Sequence, residues 1–238
     1  MNTIKKQARV AGLLYLLASI PAPFALIYVP NKLIVTGDAT ATADHIRASE
    51  TLLRLGIASE LIGSIIFIFV VLALYRLFKP VNDKHALAMA TLLLISMPIS
   101  FFGVVNELAA LIVVSGASFL SVFDQRQLDT LAYLFFRLHG QGIVVAQIFW
   151  GLWLFPFGVL VIRSGFIPRF LGYLLFIAGV GYAADSFTYL ILPSCRQLVS
   201  QFASILEIAE VPIIFWLLIW GAKKDQPLDK QPALASGD

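Results

Sequence analysis

Apolar residues run through this chain in six long stretches separated by short polar segments. A helix needs about 20 residues to cross the hydrocarbon core of a bilayer, and each stretch reaches that length. The pattern predicts spans at 10–29, 52–78, 85–114, 131–162, 170–192 and 199–221. A polar stretch at 31–51 carries Asp38, Asp44, His45, Arg47 and Glu50, and its second half is expected to form a short helix at the interface. Basic, proline-containing turns at 79–84 and 163–169, a connector at 115–130 and a short link through Pro193, Cys195 and Arg196 join the other spans. The expected fold is an all-α polytopic transmembrane bundle over residues 1–222, with a polar, disordered tail at 223–238.

Composition agrees with the pattern. Charged residues make up 13% of the chain, against about 25% in soluble domains, and the mean hydropathy is +0.87. The net charge of +3 does not point to nucleic acid, because the basic residues flank apolar runs. They act as topology signals instead: 11 Lys and Arg fall on one side, 5 on the other, and Arg137 lies within a span. By the positive-inside rule both termini are expected in the cytoplasm, as an even number of spans requires. Lys5, Lys6 and Arg9 before an apolar run resemble a signal peptide. The segment around Ile20, Pro21 and Pro23 is a poor cleavage site, however, and the run continues to Val29. The first span is therefore expected to be retained, and the protein to reside in a cell membrane, the bacterial inner membrane. The single cysteine, Cys195, excludes an internal disulfide.

Pro21, Pro23, Pro98, Pro156 and Pro212 lie inside spans, where each removes a backbone donor and bends its helix. Gly140, Gly142 and Gly151 on the fourth span, and Gly172, Gly179 and Gly181 on the fifth, permit close helix packing. The two three-helix halves share no matched motif, which argues against an inverted repeat. Phosphate-binding loops, zinc-finger spacings and nucleophile elbows are absent from the sequence.

The strongest chemical signal is a set of ionisable residues within the spans: Glu60, Glu107, Arg137, His139, Asp185, Glu207 and Glu210. Charges at the bilayer centre cost about 2.5–3.5 kcal/mol each on insertion scales. Counted along their helices, these groups lie roughly 9–17 Å below the outer surface, at 1.5 Å per residue. They are expected to face inward, in one layer, with Asn106, Gln141 and Gln147 beside them. Tyr182, Asp185, Ser186 and Tyr189 share one helical face, as do Ser200, Ser204 and Glu207. Five carboxylates face one arginine and one histidine. Arg137 is expected to neutralise one of them, and a protonated His139 another. The remainder need protonation, a bound cation or a water-filled cavity.

Four segments carry a family resemblance. They are Arg137-Leu138-His139-Gly140, the run from Phe149-Trp150-Gly151-Leu152-Trp153 to Gly158, and Ser164-Gly165-Phe166-Ile167-Pro168-Arg169-Phe170-Leu171-Gly172, followed by Gly179-Val180-Gly181-Tyr182. With Ala11-Gly12-Leu13-Leu14-Tyr15, the chain resembles the bacterial membrane family called domain of unknown function 4386 over nearly its whole length. The resemblance implies a multi-pass membrane protein. It supplies no activity, cofactor or site residues.

The acidic excess favours an outward-facing cavity that takes a cation, a proton-coupled solute or a lipid headgroup. A second reading is an intramembrane lipid hydrolase, metal-assisted, in which His139, Asp185, Glu207 and Glu210 are ligands or acid–base groups. With one intramembrane histidine and no His-x-x-Glu-His-type spacing, no metal ligand is assigned at this point. A third reading makes the charges devices of helix assembly. The bilayer is the one partner implied, and the oligomeric state is open.

Overall fold

The computed structural model describes residues 3–222; the tail expected at 223–238 lies outside the described residues. Seven helices form among the described residues: α1 (Thr3–Leu33), α2 (Ala39–Ala48), α3 (Glu50–Phe78), α4 (Asp83–Val114), α5 (Gln125–Ser164), α6 (Arg169–Ile191) and α7 (Pro193–Ile219). All but α2 are long and apolar enough to cross a membrane. The chain is an all-α, multi-pass bundle.

The six long helices form a closed ring in chain order. Each packs on its successor, and α7 returns to α1. Ring closure depends on Gly12, where a Cβ would overlap the backbone of Leu217 and Leu218. Arg9 reinforces it by donating to the carbonyl of Ile219, 2.8 Å away, at the end of α7. That placement sets a cation on the negative end of a helix.

Helix boundaries extend beyond the apolar runs. Helix α5 begins at Gln125, six residues before the expected span, because Asp124 and Gln127 form a reciprocal capping box. The extra turn includes Asp129, which is buried and accepts from both terminal guanidinium nitrogens of Arg47, Nη1 and Nη2, at 2.9 Å. This ion pair clamps α2 to the start of α5. Asp38 caps α2, its carboxylate accepting from the amide of Ala41.

Three of the long helices are interrupted. In α1, Pro21 and Pro23 remove two donors, and a π-turn follows at Phe24–Tyr28. Pro156 leaves the carbonyl of Leu152 without its helical donor, and α5 is broken at Trp153. Pro212 does the same to Ile208, and α7 tightens into a 3₁₀ turn at Ile208–Glu210. Helix α4 continues through Pro98.

The buried apolar residues form two separate cores. The larger, on the face that carries residues 3 and 222, includes Tyr15, Leu74, Phe78, Trp153, Phe157, Leu171 and Leu217. The smaller, toward the opposite face, includes Leu33, Ile46, Leu53, Val104, Leu111 and Phe136. Glu60 and His139 lie where one core gives way to the other along α3 and α5.

Candidate functional site

The intramembrane charges fall into two groups. The first joins three helices. Glu60 of α3, Glu107 of α4 and His139 of α5 are 8%, 2% and 5% exposed, so all three are withdrawn from lipid and from open water. His139 Nε2 lies 3.1 Å from Glu60 Oε2, and Nδ1 lies 3.5 Å from Glu107 Oε1. One oxygen of each carboxylate, Glu60 Oε1 and Glu107 Oε2, has no hydrogen-bond partner. The histidine ring fits because α4 has Gly103 opposite it, where a Cβ would stand 3.0 Å from His139 Cδ2. Asn106, also buried, turns back to donate to the carbonyl of Phe102 at 2.8 Å.

The second group lies between α1, α6 and α7. Glu210 accepts a hydrogen bond from the hydroxyl of Tyr15. The 3₁₀ turn that follows Glu207 brings Glu207 and Glu210 to one side, since residues three apart eclipse in that geometry. Asp185 on α6 is near enough to interact with Glu207. The approach is close because of Gly181, where a Cβ would meet Leu206 Cβ at 2.9 Å and the backbone nitrogen of Glu207 at 3.3 Å.

A cavity of about 620 Å³ connects the two groups. Glu60, Glu207 and Glu210 line it, together with Gln147 and the aromatic side chains of Tyr15, Phe67, Trp150, Trp153, Tyr182 and Phe215. No Lys, Arg or His is among its described lining residues. All three helix interruptions border it: Pro21 and Pro23 of α1, Trp153 of α5, and Glu207 and Glu210 of α7. Tyr15 and Trp153 pack at 6.0 Å between ring centroids, and Trp150 meets Tyr182 edge to face at 6.4 Å. Ile27, Val211 and Phe215 line the cavity and are also exposed on the outer perimeter. The cavity thus reaches the apolar surface of the bundle between α1 and α7.

Other sequence candidates lie elsewhere. Arg137 is exposed and makes no ion pair among the described residues, so the carboxylate pairing expected of it is not formed. It precedes His139 by two residues, about 200° around the helix, so the two side chains cannot face the same centre. Gln141 donates to the hydroxyl of Tyr189, over whose ring Arg196 sits at 4.3 Å. The ligand set proposed from sequence around His139, Asp185, Glu207 and Glu210 is not assembled. The ligand-type groups within 4.8 Å of one another are Glu60, Glu107 and His139. Sequence reasoning missed Tyr15 and Gly103. The spacing of Gly12 and Tyr15, three residues apart on one helical face, is the signal that could have found the former.

A relative from Archaeoglobus fulgidus, described only as an uncharacterized protein, is 29% identical over 161 residues, covering 67% of this chain and 79% of the relative. No solved structure matches. The model of the family described as Domain of unknown function (DUF4386) matches residues 10–221, a stretch running from the start of the ring to its closure, and the chain belongs to that family.

Proposed function

We propose that this membrane protein binds an organic cation with an apolar body in its central cavity, and that the ligand enters from the bilayer between α1 and α7. One observation carries the reading: three carboxylates and no basic side chain line a cavity whose remaining wall is apolar and aromatic. Buried carboxylates need a positive partner, and aromatic faces attract cations desolvated beside them. The volume lies within the roughly 300–1,000 Å³ of small-molecule sites. Interrupted helices at the site support the same reading, because irregular backbone at membrane depth is tolerated where it lines a cavity. In this reading the membrane is the cell membrane and the cavity faces its outer leaflet.

The test uses purified full-length protein in nanodiscs and tetraphenylphosphonium as the probe. Saturable quenching of Trp150 and Trp153 fluorescence is the expected result. Replacing Glu207 and Glu210 together by Gln should weaken binding about tenfold or more, since the attraction between unit charges is about 4 kcal/mol at 4 Å and an effective dielectric of about 20, and even a fraction of that is lost as more than a factor of ten. Unchanged affinity in that double variant would sink the proposal.

A further inference from the structure

We propose that Glu60, Glu107 and His139 bind one divalent transition-metal ion. The inference concerns the cluster between α3, α4 and α5 and does not depend on the cavity's taking an organic cation.

Three observations support it. The ligand atoms come from three different helices and lie within 4.8 Å of one another, so side-chain movements of about half an ångström bring them inside the roughly 4.2 Å that two ligands on one ion can span. All three side chains are more than nine-tenths buried. Each carboxylate also keeps one oxygen, Glu60 Oε1 and Glu107 Oε2, with no donor to satisfy it, and a buried acceptor left in that state costs about 1–3 kcal/mol.

Charge balance supports the same conclusion. Two ionised carboxylates and a neutral imidazole carry a charge of −2 in a setting of low dielectric. A single divalent cation cancels it, and no other basic group is in the cluster to do so. His139 would coordinate through one ring nitrogen, its neutral imidazole supplying the lone pair. One nitrogen and carboxylate oxygens suit zinc, manganese or ferrous iron better than calcium or magnesium. Three protein ligands leave coordination positions open, and one of the three, Glu60, also lines the cavity.

The experiment loads chelator-stripped full-length protein with Co²⁺ or Zn²⁺ and measures retained metal after desalting. About one equivalent per chain is expected, with d–d absorption bands in the Co²⁺ form. Glu107→Gln and His139→Gln should each weaken Zn²⁺ binding by at least about 100-fold, because loss of even an outer-shell partner costs about 10–100-fold. Glu207→Gln with Glu210→Gln should bind metal as the unmodified chain does, which separates this site from the organic-cation site. Conversely, Glu107→Gln should still bind tetraphenylphosphonium if the cavity reading holds. Should the ligand variants fail to fold, a His45→Gln, His85→Gln chain keeps His139 as the sole histidine of the three. Its Cu²⁺ form should then show nitrogen hyperfine coupling in the electron paramagnetic resonance spectrum. Substoichiometric metal in the unmodified chain, full binding in His139→Gln, or no nitrogen coupling in the single-histidine chain would each overturn the proposal.

Discussion

His139 reaches two carboxylates because Gly103 leaves room for its ring. A Cβ at position 103 would press on His139 Cδ2 at 3.0 Å. We therefore expect Gly103→Ala to destabilise the protein by about 1–3 kcal/mol, the usual cost of overpacking, and to weaken metal retention at the same time. Melting curves and metal analysis on one sample check both effects. Asp129 offers a second residue-scale test, away from the cavity. Asp129→Ala should cost about 2 kcal/mol by denaturant titration, less than a fully buried pair because Arg47 is 31% exposed. The ionisable members of the site were legible in the sequence, since a carboxylate or imidazole within a span announces itself by its insertion cost. Tyr15 and Gly103 were not. A tyrosine in an apolar run carries no comparable cost, and a glycine's value lies in what it faces on another helix. The division of the charges into two groups was hidden for the same reason: it depends on the azimuth of each helix in the ring.

Helices α5 and α6 are held at backbone contact by two facing pairs of glycines. A Cβ on Gly151 would stand 2.8 Å from the carbonyl oxygen of Gly179, and one on Gly179 would stand 2.9 Å from that of Gly151. Gly158 and Gly172 face each other in the same way, at 2.8 and 2.7 Å. Because the obstacle is backbone on both sides, Gly158→Ala must separate the helices and should cost at least about 1–3 kcal/mol. Gly140→Ala is the internal control. No atom lies within 4 Å of its Cβ position, so stability should be unchanged or slightly raised through helix propensity. Unfolding in sodium dodecyl sulfate compares the two. At this scale the sequence was highly legible, because apolar length alone locates six spans. Its errors fall at the ends, where polar caps such as Asp124 and Gln127 extend a helix past its apolar stretch. The prolines were visible too. That three of the breaks face one cavity follows only from the closed ring.

Over the whole molecule, six crossings put residues 3 and 222 on one face and Cys195, in the first turn of α7, on the other. By the distribution of Lys and Arg the first face is expected in the cytoplasm. Cys195 is exposed and is the single cysteine of the chain, so a membrane-impermeant maleimide should label right-side-out vesicles and leave inverted ones unlabelled. The opposite outcome would reverse the orientation. The two apolar cores are unequal, and this bears on motion. The smaller draws on the Ile46, Leu53 and Leu111 end of the bundle, the larger on the Leu74, Phe157 and Leu217 end. Local opening follows the least packed region, so amides near Leu53 and Leu111 should exchange with deuterium well before those near Leu74 and Leu160. The fold is then a flask with a thick base and a thin stopper: the base, at the face that carries residues 3 and 222, is expected to stay closed while the stopper breathes.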